Sequence, residues 1–84
     1  KTTPDNGLLR YSLASALERA GHLNSAIEKF QQVASNRKNY THIQANAWFR
    51  LGRLNSGHQR EQFLRNCLAL ASDHGEAKKL LKES

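Results

Sequence analysis

The stretch "WFRLG", residues 48–52, decides how this chain folds. On a helix, Trp48, Leu51 and Gly52 share one side, because residues three and four apart are neighbours there. An earlier stretch, "AIEKF" at residues 26–30, sets Ala26 and Phe30 four apart after a glycine at position 21. Each stretch joins a residue without bulk to a large ring. That combination lets two helices approach closely while the ring fills the remaining wedge at the density of a protein interior.

Working outward from these two stretches gives a run of helices. Pro4, Asp5, Asn6 and Gly7 make a turn-like start, after which Leu9, Leu13, Ala16, Leu17 and Ala20 recur at helical spacing. Gly21 ends this first amphipathic helix, since glycine accepts the left-handed conformation that helix ends often need. "LNSAIEKFQQVA", residues 23–34, follows with Asn24 or Ser25 as N-cap and Ser25 with Glu28 as a capping box. Leu23, Ala26, Ile27, Phe30, Val33 and Ala34 line one side of this second helix. So short a connection makes the two helices antiparallel. Polar residues 35–41 interrupt the pattern, and it resumes at Ile43, Ala47, Leu51 and Leu54 in a third helix ending near Ser56 and Gly57. Phe63, Leu64, Cys67, Leu68 and Ala71 mark a fourth helix. Asp73 and Glu76 fit a capping box ahead of a terminal helix with Ala77, Leu80 and Leu81 inward. No segment alternates with period two, so no strand is expected.

Two successive helical hairpins invite a search for an internal period. Leu17 and Leu51, Gly21 and Asn55, Phe30 and Leu64, Val33 and Cys67, and Ala34 and Leu68 are each 34 apart. Together with Trp48, Leu51 and Gly52 in one hairpin, and Leu13, Ala14, Leu17, Ala26 and Phe30 in the other, this spacing resembles the tetratricopeptide repeat family. Asn55 and Arg10 stand where that motif has bulky or aromatic residues, and no proline closes either repeat. The resemblance implies an all-α fold: a right-handed stack of two antiparallel helical hairpins with a C-terminal capping helix. Residues 1–84 would form a single domain, with repeat 1 at about 7–38, repeat 2 at about 42–73 and the terminal helix at about 74–83. The opening "KTTPDNG" without a methionine reads as an excerpt from a longer protein.

Length and composition narrow the classes. A chain of 84 residues allows one domain, and one so short buries only about 60 to 65% of its unfolded surface. Cys67 is the single cysteine, so there is no internal disulfide and a cytoplasmic setting is favoured. The apolar runs are far below the roughly 20 residues that span a bilayer, and no signal-peptide pattern opens the chain. The net charge of +6 is concentrated in residues 37–65, which hold six basic residues against Glu61 alone. Such a band attracts acidic groups over roughly 8 to 10 Å, or simply solvates a helical face.

Catalytic groups do not assemble in the sequence. His22 and His58 follow glycines at turns, His42 and His74 flank helix starts, and Cys67 shares an apolar face with Phe63, Leu64 and Ala71. Glu18, Glu28 and Glu61 read as solvated carboxylates on polar faces. No metal or other cofactor is expected, and no enzymatic activity. In the family this chain resembles, the first helix of each repeat lines a concave face that takes up partner segments. The resemblance then places Tyr11, Ser15, Glu18 and Arg19 of the first helix outward, with Asn46, Phe49, Arg50 and Arg53 of the third.

Asn46, Arg50 and Arg53 share a stripe by helical spacing, and two guanidinium groups suit a carboxylate. The expected binding residues are therefore Tyr11, Ser15, Arg19, Asn46, Phe49, Arg50 and Arg53, and the expected partner is a protein or peptide, with acidic groups favoured. The alternative partner is nucleic acid, held through Arg37, Lys38, Arg50, Arg53, Arg60 and Arg65. Its weakness is the scarcity of exposed aromatics, Tyr40 and Phe49 being the candidates. Two repeats are few, so the terminal helix is expected to cover the open end, or the module to pack on itself or on a host domain.

Overall fold

The computed structural model describes residues 7–83. Within them it is all-helical: α1 spans Gly7–Arg19, α2 Leu23–Ser35, α3 Thr41–Leu54, α4 Gly57–Leu70 and α5 Gly75–Glu83, with no strand among the described residues. The turn-like start at Pro4 to Asn6 lies outside them. Each helix packs on the next, and α1 also touches α3. Gly21, between α1 and α2, has φ +90°, the left-handed conformation expected of it.

Two apolar clusters hold the helices. The first gathers Ala14, Ala26, Phe30, Val33, Ala34, Ala47 and Leu51 from α1, α2 and α3; the second gathers Ala45, Phe49, Leu64, Cys67 and Ala77 from α3, α4 and α5. Phe30, Leu51 and Leu64 are fully buried, each such side chain contributing about 1.5–3 kcal/mol relative to exposure. Trp48 packs against both clusters and stacks on Phe63 at 5.7 Å between ring centroids, which makes it the half-buried wedge between them. Gly52 faces Leu64 so closely that an added Cβ would lie 2.8 Å from both Cγ and Cδ2. The absence of a side chain at position 52 sets the approach of α3 to α4. Leu80 and Leu81 of α5 are half-buried against the second cluster, as expected of a terminal helix that covers it.

Several local expectations are corrected. Leu9, Leu13, Ala16 and Ala20 do not form the inner face of α1; all four are exposed, and Ala14 with half-buried Tyr11 and Leu17 packs inward instead. The reason is Tyr11, whose ring meets Phe30 edge-on at 5.4 Å and 71° and so turns its side of α1 toward α2. Leu23 is likewise exposed. Neither expected capping box supplies its cap. His22 occupies the N-cap of α2 without a side-chain bond, and at α5 the Nδ1 of His74, not Asp73, accepts the Ala77 N–H at 3.1 Å.

The third helix starts at Thr41 and stops at Leu54, short of Ser56. Its end is held from α4 by Arg60, whose Nε donates to the carbonyls of Gly52 at 3.1 Å and Asn55 at 2.9 Å. These bonds satisfy carbonyls at a helix end that lack intrahelical donors. The C-terminal carbonyls of α2 are met in the same way. Asn39 Nδ2 donates to Val33 O at 2.9 Å and Gln44 Nε2 to Ala34 O at 3.0 Å, fastening α3 to the preceding helix.

Candidate functional site

The site lies where α1 and α3 face each other. Arg50 and Arg53 are three apart on α3 and so point to one side, while Tyr11 and Glu18 stand seven apart, two turns, on α1. Arg50 Nη1 donates to Glu18 Oε1 at 3.2 Å, and Arg53 Nη2 donates to Glu18 Oε2 at 2.6 Å. One carboxylate is thus shared by two guanidinium groups, with the Glu18 side chain only 17% exposed. The Arg50 guanidinium also lies 5.7 Å from the Tyr11 ring centre and 6.0 Å from that of Phe30, and Arg53 lies 5.9 Å from Phe49. Such stacking over aromatic faces restrains the planar groups and leaves their edges for hydrogen bonding.

Arg50 and Arg53 each spend one bond on Glu18, while the guanidinium group carries five N–H donors. Their side chains are 28% and 43% exposed. The cluster holds two positive charges against one negative. An arrangement of this kind already binds one carboxylate and has the charge and donors for another.

The expected binding residues are not all brought together. Tyr11, Arg50 and Arg53 meet around Glu18, Ser15 is half-buried on the same helix, and Arg19 is exposed. Asn46 and Phe49, expected to face outward, are covered by the start of α5. Asn46 Oδ1 accepts from His74 Nε2 at 3.0 Å, and Phe49, 8% exposed, packs on the His74 ring at 5.0 Å. Because His74 Nδ1 accepts from Ala77, the ring proton sits on Nε2 and donates to Asn46. The stripe expected from helical spacing is therefore divided: its arginines serve Glu18 and its amide serves α5.

Two residues have roles that the sequence did not assign. Glu18 was expected as a solvated carboxylate and, from the resemblance, at an outward position of the first helix, but its partners, 32 and 35 residues away, were not foreseen. Its one sequence signal is that it is the sole acid of α1, facing a third helix with two arginines at matching spacing. His74 gave no signal beyond its place at a helix start.

No protein family, curated protein or solved structure matches this chain.

The remaining chemistry-bearing groups are dispersed. Among the described residues no three His, Cys, Asp or Glu gather as metal ligands. Cys67 is fully buried, and burial pushes its thiol up to about 11, which keeps it protonated at neutral pH. Of the basic middle segment, Arg60 is engaged on carbonyls, and Arg65 pairs with Glu61 at 2.7 Å. Arg37 and Lys38 are exposed at the corner joining α2 and α3, beside Tyr40 stacked on His42 at 5.8 Å. No helix among the described residues is long and apolar enough to cross a membrane.

Proposed function

We propose that the chain is a protein-interaction module of the tetratricopeptide type, which binds an acidic peptide segment across the α1–α3 face. The carrying observation is the Glu18 cluster: Arg50 and Arg53 lie against aromatic rings, both already grip a carboxylate, and both side chains remain partly exposed. The repeat reading draws support from helix starts. Leu23 and Gly57 open α2 and α4, Thr41 and Gly75 open α3 and α5, and both pairs are 34 positions apart. It also draws support from the bulk-free contact of Gly52 with Leu64. In a right-handed stack of hairpins, α1 and α3 would be the first helices of their repeats and line its concave side. Binding without catalysis fits a buried Cys67 whose thiol stays neutral and histidines spread over four separate sites.

On this reading Glu18 is an internal competitor of the ligand. Fluorescence anisotropy with a labelled acidic peptide tests it directly. Glu18→Gln frees both arginines and should tighten binding severalfold, while reversing Arg50 and Arg53 to Glu should abolish it. Equal affinity in all three proteins would remove the α1–α3 face from consideration.

The second reading, nucleic-acid binding, is favoured by one place only, the α2–α3 corner. There exposed Arg37 and Lys38 accompany Tyr40, 73% exposed and stacked on His42. Phosphate contacts would make binding steeply salt-dependent. A gel shift with single-stranded RNA at low and high salt decides it, and no retardation at low salt ends this reading.

A further inference from the structure

The first helix is apolar on two opposite sides, and among the described residues only one of them is covered. Tyr11, Ala14, Leu17 and Glu18 face α2 and α3. On the other side Leu9, Leu13, Ala16 and Ala20 follow one another at spacings of four, three and four, and all are exposed, Leu9 at 67% and Leu13 at 48%. Ala20 belongs to the same stripe because its N–H still donates to Ala16 O at 3.0 Å, one residue past the end of the helix. A shallow groove of about 480 Å³ lies over Leu9, Arg10, Ser12 and Leu13.

Alternating steps of four and three define the seam along which one helix packs on another, and alanines in that seam let the second backbone come close. The flanks of the stripe identify its occupant. Arg10 and Arg19 are exposed on opposite sides of the seam, nine residues and so about 13.5 Å apart along the axis. Glu18, the sole acid in α1, is on the inner face between Arg50 and Arg53 and leaves the stripe with a basic border on both sides. Pairing this face with a second copy would bring four guanidinium groups together with no carboxylate from α1 to offset them.

We propose that the Leu9–Leu13–Ala16–Ala20 face of α1 docks an amphipathic helix of a partner protein, whose apolar seam is bordered by acidic residues. The apolar seam supplies the contact area, and Arg10 and Arg19 set orientation and discriminate against basic helices. This surface is separate from the Glu18 cluster, so the two can fail independently.

The probe is a labelled synthetic peptide of about three heptads with leucine at a and d and glutamate at e and g, a composition whose own charge opposes self-association. A second peptide carries lysine at e and g. Anisotropy titrations should show the acidic peptide binding at least about tenfold more tightly than the basic one. The titrations are repeated in a protein carrying Arg50→Glu and Arg53→Glu, which removes the Glu18 cluster's own hold on acidic groups; in that protein Leu9→Ser with Leu13→Ser should abolish the binding that remains, and Arg10→Glu with Arg19→Glu should invert the preference. Because these leucines and arginines are exposed, circular dichroism melts of the variants should overlay the parent. Equal binding of the two peptides, binding indifferent to the leucine changes, or no binding at millimolar peptide would overturn the proposal. So would sedimentation equilibrium showing a dimer that Leu13→Ser dissociates, which would assign the face to a second copy.

Discussion

Substituting Gly52 by alanine probes the contact on which the packing of α3 and α4 depends. An alanine in a helix interior is about 1 kcal/mol more favourable than glycine when nothing opposes it. Here the new methyl would lie 2.8 Å from Leu64 Cγ and Cδ2 and 3.4 Å from the Arg60 carbonyl oxygen, against roughly 3.5–4.0 Å for a relaxed carbon contact. Leu64 is fully buried, so the helices must separate or the side chain must leave its rotamer. Overpacking of this kind costs about 1–3 kcal/mol. Separation also stretches the Arg60 bond to Gly52 O, now 3.1 Å, worth about 1 kcal/mol. Together these exceed the propensity gain, for a net loss of about 1–3 kcal/mol.

Since 1 kcal/mol moves the melting point of so small a domain by about 4–8 °C, Gly52→Ala should melt at least about 4 °C lower by circular dichroism. Gly75, which has nothing within 4 Å of its added Cβ, is the control and should tolerate alanine. Leu64→Ala alone should cost about 2–5 kcal/mol, and the double variant less than the two losses combined, because each relieves the other. A Gly52→Ala protein as stable as the parent, or more so, would refute the reasoning, since only the helix propensity would then be acting.

Other outcomes test the remaining contacts. His74→Ala removes the N-cap acceptor of α5 and the Asn46 partner, and should cost about 0.5–2 kcal/mol. Amide exchange should then speed up in residues 75–83 while α1 and α2 stay protected, and unchanged exchange in α5 would show the cap to be idle. Changing Leu80 and Leu81 to Asp together should cost about 2–5 kcal/mol, since both pack on the second cluster; an unaltered melting temperature would mean that α5 does not cover α4. The Cys67 thiol, raised from 9.0 to about 11 by burial, ionises more easily in the unfolded chain. Its stabilising influence is therefore intact below pH 9 and is lost as the pH climbs toward 11. Cys67→Ala should flatten that part of the denaturation-versus-pH curve, and an identical slope in both proteins would contradict the assignment.

What was legible in the sequence follows from locality. Ala26, Phe30, Val33 and Ala34 repeat at helical spacing within one helix, and their periodicity correctly named the buried side of α2. Gly52 was legible because a bulk-free residue amid bulky ones implies a close neighbour. In α1 the same method chose the wrong side, since apolar residues occur all round it and leucines outweigh one alanine and one tyrosine. The choice between the two faces is made by Phe30 and Arg50, residues on other helices that meet Tyr11. Glu18 was unreadable for the same reason, its role being fixed by α3. At α5, Asp73 matched a capping pattern, but the imidazole of His74 reaches Ala77 and Asn46 together, a geometry that only the docking of α5 on α3 creates.

The most direct test of the account is nuclear Overhauser spectroscopy on the isotopically labelled chain, directed at the Gly52 α-protons. Nesting of α3 on α4 predicts strong cross-peaks from these protons to the methyl groups of Leu64. Assigned spectra in which the Gly52 protons show contacts only within α3, with the Leu64 methyls correlated elsewhere, would contradict it.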